Sequence, residues 1–131
     1  MKRSGLPPSL SSLETIQNRV AGETLFLEGE HPAGLYVLHS GEVELLFAAH
    51  DGRPRPLRLV SPGAILGLSP VVMGRAHDCS ATTRTDCRVG IVAAEDLLHT
   101  LAERPEAWLQ LLRLLSSDVN AAYEDLRLLA S

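Results

Sequence analysis

Between Thr15 and Ile91, apolar residues come in short runs of about four to eight, each closed by turn-forming residues, a pattern that predicts strands rather than helices. Gly22, Gly29, Gly34 and Gly41 separate runs of Leu, Phe, Tyr and Val, and each is expected to supply the positive φ that a tight turn needs. Val43, Leu45 and Phe47 alternate with Glu42, Glu44 and Leu46, which predicts a half-buried strand. Asp51-Gly52 predicts a hairpin turn with Leu57 and Leu59 on the returning strand, and Ser61-Pro62-Gly63 closes the next turn. From Cys79 to Ile91 one face carries Cys79, Ala81, Thr83, Thr85, Cys87, Val89 and Ile91; the other carries Ser80, Thr82, Arg84, Asp86 and Arg88. That period of two predicts one extended strand. Together these runs favour a barrel or double-sheet β architecture.

Helical signals flank this region. Ser9 to Leu13 predicts a short helix with Ser9 or Ser11 as its N-cap, preceded by a loose tail. Ala94 to Ala102 is a helical stretch, and Pro105 opens a second one at the position where a missing N–H is harmless. No Gly or Pro interrupts Pro105 to Ala130, so the rod is expected to run about 39 Å at 1.5 Å per residue. Trp108, Leu112, Leu115, Val119, Ala122, Leu126 and Leu129 fall at alternating gaps of four and three, the spacing of an a/d seam that pairs two copies of a helix. Leu109, Leu111 and Leu114 add a second apolar set in the first half only, which is expected to pack on the chain's own strands. The expected organisation is a tail and short helix over 1–14, a β-barrel over 15–93, and C-terminal helices including the long dimerisation helix over 94–131. The partner expected for that helix is a second copy of the chain.

Composition narrows the function. At 131 residues, 45% hydrophobic and 21% charged, the chain suits one soluble domain, and at 4% aromatic its core must be mainly aliphatic. A net charge of −4 argues against direct nucleic-acid binding by this segment. Met1-Lys2-Arg3 is followed by Pro7 and Pro8 rather than an apolar run, so no secretory signal is expected. No stretch has the length of a membrane span, and the expected location is cytoplasmic. Cys79 and Cys87, on one strand, would lie roughly 26 Å apart, so two unbridged thiols are expected.

The order Gly22-Glu-x-Leu-Phe-x-x-Gly29-Glu, then Leu35-Tyr-x-Leu-x-Ser-Gly41-x-Val, resembles the opening of a cyclic-nucleotide-binding domain of the cyclic-AMP receptor protein/FNR regulator type. The resemblance extends from about Thr15 to Leu129. It implies a jelly-roll-like barrel (a double-stranded β-helix) followed by a long dimerisation helix, in the sensing part of a bacterial transcription regulator. In the family a helix-turn-helix domain normally follows that helix; here the chain ends at Ser131, so DNA contact is expected only from a segment beyond it.

In ligand-binding members, the cyclic phosphate sits in a cassette that reads Gly-Glu-Leu, a short helix, then Arg, a small hydroxyl residue and Ala. A carboxylate accepts from the ribose, and an Arg fork with backbone N–H groups holds the phosphate. Here the register reads Gly67-Leu68-Ser69, then Arg75, then His77-Asp78-Cys79. Leu68 removes the ribose acceptor, His77 replaces the Arg, and Asp78 adds a negative charge. Were Asp78 to face a bound phosphate at about 4 Å, the repulsion would reach about 4 kcal/mol at an effective dielectric near 20. Arg75, two residues upstream, is the candidate substitute cation. Tight cyclic-nucleotide binding through the usual contacts is therefore not expected.

Other chemistry finds less support. His31, His39, His50, His77 and His99 form no metal-type spacing, no cysteine cluster suits an iron–sulfur centre, and no cofactor is expected. His31, His39 and His50 are expected in or beside turns. The His-x-His of a cupin-like metal enzyme and the Gly-x-Ser-x-Gly elbow are missing, so no enzyme is expected. The leading expectation is an effector-sensing and dimerising regulatory domain with an unknown small-molecule effector. The alternatives are a module that only dimerises, its pocket filled by Leu68, Val71, Val72 and Met73, or a haem or other small-molecule sensor.

Overall fold

A computed structural model describes residues 6–113. The strands are β1 (Thr15–Arg19), β2 (Thr24–Phe26), β3 (Gly34–Ser40), β4 (Val43–Ala48), β5 (Pro54–Val60), β6 (Ile65–Leu66), β7 (Ser80–Thr83) and β8 (Cys87–Ala93). The helices are α1 (Pro8–Ser11), α2 (Leu68–Met73) and α3 (Ala94–Glu103), and residues 105–113 are again helical. The strands form two four-stranded antiparallel sheets, ordered β1-β8-β3-β6 and β2-β7-β4-β5. The mainly β architecture with C-terminal helices is as expected, but the two sheets stay separate and do not close into a barrel.

Strand β3 carries two cores. Tyr36 and Leu38 join Leu25, Phe26, Val43, Val60, Leu66, Ala81, Cys87 and Val89 in the core between the sheets. Leu35 and Val37, on the opposite face, join Leu10, Leu68, Val71, Val92, Leu97 and Leu111 in a second core under the helices. Such two-sided burial makes Leu35-Tyr-Val-Leu a continuous apolar run rather than an alternating one. Residues Leu10, Leu35, Leu68, Leu97 and Leu111 are at most 1% exposed. Each stabilises the fold by about 1.5–3 kcal/mol through burial. Ala107 and Leu111 are the residues with which the last described helix turns inward; Leu109, expected to pack there as well, is 61% exposed. Leu114 lies outside the described residues.

The predicted single strand over Cys79 to Ile91 is two strands in different sheets, with a corner at Arg84, Thr85 and Asp86. The corner is held by polar contacts to the β1–β2 turn. The Thr83 hydroxyl donates to the Val20 carbonyl (2.7 Å) and accepts from the Glu23 N–H (2.9 Å), and Asp86 Oδ1 accepts from the Ala21 N–H (3.0 Å). Alternation survives the corner because both strands face the same interior, so periodicity alone does not reveal it. The distance argued for the cysteines therefore does not apply, though both thiols are free.

Smaller departures have equally local causes. Pro7 precedes α1 with no side-chain cap, because proline already fixes the first turn, so neither Ser9 nor Ser11 is the cap. Gly22, Gly29 and Gly41 have positive φ (88°, 88° and 92°), as the turn reading requires, but Gly34 does not. Gly34 is a strand residue, and a Cβ there would overlap the Val92 carbonyl. His39 sits inside β3 rather than in a turn and pairs with the Glu14 carboxylate, which is 8% exposed. Gly34→Ala is expected to force the central β3–β8 pair apart and destabilise the chain by about 2 kcal/mol. A urea midpoint unchanged from wild type would contradict this packing.

Candidate functional site

The cassette begins where β6 ends. Gly67, at φ 77°, turns the chain into α2, and Gly74, at φ 68°, ends that helix. Leu68, the first residue of α2, is 1% exposed and belongs to the core under the helices. Leu68, expected from the resemblance to stand at the ribose-acceptor position, thus belongs to the core under the helices and not to the one between the sheets. Val71 lies in the same core, Val72 packs against it, and Met73 is 64% exposed. These four residues do not fill the interior between the sheets, contrary to the expectation for a module that only dimerises. Arg75 is exposed just beyond α2, where its guanidinium donates to the half-buried Ser69 hydroxyl (3.4 Å) and its N–H to the Pro70 carbonyl (3.0 Å).

His77 turns the other way. Its N–H donates to the Glu30 carbonyl (2.9 Å) and its carbonyl accepts from the Gly29 N–H (2.8 Å), so the loop is stitched to the β2–β3 turn. The imidazole is 4% exposed and lies flat on Phe26, with ring centroids 3.9 Å apart and planes 12° apart. Phe26 in turn meets Tyr36 (5.5 Å), whose hydroxyl donates to the Leu25 carbonyl (3.1 Å). Gly67 is needed above this stack: a Cβ there would come within 3.1 Å of His77 Cε1. Gly67 and His77 are therefore brought into contact, although ten positions apart, while Leu68 and Arg75 are not part of that contact.

Burial dominates the electrostatics. It holds the His77 imidazole below its usual range, opposed by the charges of Glu30 and Asp78. Burial likewise raises the Tyr36 phenol, with Arg19 opposing and Glu30 adding to the shift. The Cys79 thiol is pushed up to about 11, by burial first and then by Asp78 and Glu28. At neutral pH it is a packed thiol against the interior core rather than a nucleophile or soft ligand. Asp78 itself is exposed, so solvent screens it and the repulsion computed for a pocket-facing carboxylate does not apply in full.

Among the described residues no group of three or more His, Cys, Asp or Glu side chains is placed to hold a metal ion. None of the described helices is long and apolar enough to cross a membrane. Of the predicted seam, Trp108 and Leu112 are described, 36% and 44% exposed; Leu115, Val119, Ala122, Leu126 and Leu129 lie outside the described residues. Phe26 and Tyr36 are site residues that sequence reasoning missed. Both lie in the opening strands and read there as ordinary core aromatics.

The His77 stack has a pH consequence. Burial makes the folded chain bind this proton less readily than the unfolded chain, whose imidazole titrates near pH 6.5, so this contribution to stability is present above that value and declines as pH falls below it. The melting temperature is expected to drop as pH falls below about 6.5, and His77→Gln should flatten the onset of that drop. An equal slope in the variant would contradict a buried neutral imidazole.

Comparison with known proteins gives this geometry its context. Residues 17–104 match the cyclic nucleotide-binding domain family. The chain is 36% identical over 95 residues to a "CRP-like cAMP-activated global transcriptional regulator" of Mycobacterium tuberculosis, covering 72% of this chain. It spans 42% of that relative's length. Among solved structures it resembles the Thermus thermophilus Catabolite Activator Protein, with a TM-score of 0.77, 26% identity, and 96% of this chain aligned to 61% of that one. The N-terminal domain of a transcriptional regulator from Streptomyces coelicolor A3(2) is similar with a TM-score of 0.71 and 26% identity, over 91% of this chain and 88% of that one. This chain belongs to the cyclic nucleotide-binding domain family.

Proposed function

We propose that the chain is the effector-sensing and dimerising regulatory part of a transcription regulator, and that its usual cyclic-nucleotide contacts have been replaced. The observation that carries this reading is His77. At the cassette position where an Arg would hold the phosphate stands a buried imidazole, held largely neutral and stacked on Phe26. Leu68 supports the same conclusion, because a carboxylate at that position would sit in an apolar core rather than beside a ribose. Arg75 is exposed beside Ser69 and offers no interior cation.

Dimerisation through the helix that begins at Pro105 belongs to the proposal, with Trp108 and Leu112 as the described start of its seam. The named relatives are regulators, and no catalytic role is assigned to any residue of this chain. Contact with DNA would come from a segment outside this one, in a cytoplasmic regulator.

Isothermal calorimetry with cyclic AMP and cyclic GMP is expected to show no micromolar binding to the chain. A clear micromolar isotherm with either nucleotide would overturn the replaced-contact reading.

A further inference from the structure

The helix that begins at Pro105 is apolar around more of its circumference than the chain itself covers. Ala107 and Leu111 are buried, whereas Trp108, Leu112 and Leu109, which come next around the helix, are exposed. At 3.6 residues per turn these five span an arc of about 200°, and Glu106, Gln110 and Arg113 fill the rest. A helix of that kind is covered from two sides. The exposed apolar surface continues onto the body of the domain. Trp108 is one wall of an open apolar groove of about 250 Å³, whose other walls are Val72 of α2 and Leu98, Leu101 and Ala102 of α3. The spacing of the seam says what can reach this groove. A gap of four from Trp108 to Leu112, then of three to Leu115, places Trp108 at d, Leu112 at a, Leu111 at g and Leu109 at e of a heptad. Leu111, at g, lies on the side of the chain's own core, and Leu109, at e, lies on the far side of the seam. In a parallel pair the e side of each helix faces the g side of the other, so Leu109 crosses to the other copy's body. The g position one heptad before Leu111 is Arg104, which directly follows the end of α3, where Leu101 and Ala102 line the groove.

We propose that this groove is the seat of Leu109 from a second copy of the chain, so that the dimer interface includes α2 and α3 as well as the helix seam. A two-fold axis makes the exchange mutual, each copy giving its Leu109 and receiving the other's. This rests on the dimerisation proposed above and gives it a direction. Parallel helices bring the two bodies side by side and cover both grooves, whereas antiparallel helices leave both grooves in water. Val72 makes α2, the helix of the cassette, part of the contact, so a shift of α2 in one copy alters its hold on the other.

The test uses the full chain. Sedimentation equilibrium is expected to show a dimer, and Leu109→Gln and Leu98→Gln should each raise its dissociation constant at least about tenfold. Both side chains are exposed in one copy, so both variants should keep the circular dichroism spectrum of the wild type. A chain carrying Ala102→Cys, mixed with one carrying Leu109→Cys, should form a disulfide-linked pair on mild oxidation that neither variant gives alone. If Ala102→Cys does not fold, Leu98→Cys serves in its place. A dimer whose dissociation constant is left unchanged by either glutamine variant overturns the proposal. So does a dimer that gives no mixed disulfide, which is the result for antiparallel helices. A wild-type chain that stays monomeric at high micromolar concentration overturns the dimer itself, so the two failures are distinguishable.

Discussion

Strand β3 is buried on both faces, and this constraint organises the molecule. Tyr36 and Leu38 must be covered by the second sheet, while Leu35 and Val37 must be covered by helices. A single antiparallel sheet facing water on one side would leave half of that run exposed. The corner at Arg84–Asp86 and the helices α1, α2 and α3 are what satisfy both demands at once. The close approach of Gly34 to Val92 belongs to the same requirement, since β3 and β8 must lie tightly paired for either core to form.

The two-sided strand also divides the residues from Gly67 to His77 between two environments. Leu68 is committed to the helix side, and His77 to the space between the sheets. Neither is free to act as a polar contact without giving up packing. Replacing Leu68 by an acid would bury a carboxylate in an apolar core, which is strongly unfavourable.

Much of this was legible in the sequence, and the exceptions share a cause. Short runs and glycine turns gave the strands and the β-then-helix order, and the resemblance of the opening motif identified the family. The corner after Thr83 was hidden because two strands facing one interior keep a common parity. Gly34 looked like a turn glycine, yet its reason is a neighbouring carbonyl on another strand. His39 looked solvated until Glu14 was brought to it across the sheet. Of the cassette, Gly67, His77 and Arg75 could be placed by register, but which way Leu68 and His77 face depends on tertiary packing.

We propose that His77 acts as a packed core residue rather than a ligand contact. NMR titration of its imidazole with pH, in the absence and presence of excess cyclic AMP, addresses this most directly. A protonation midpoint below about 6.5, left in place by the nucleotide, is expected. A midpoint at or above that value, displaced on adding cyclic AMP, would contradict it.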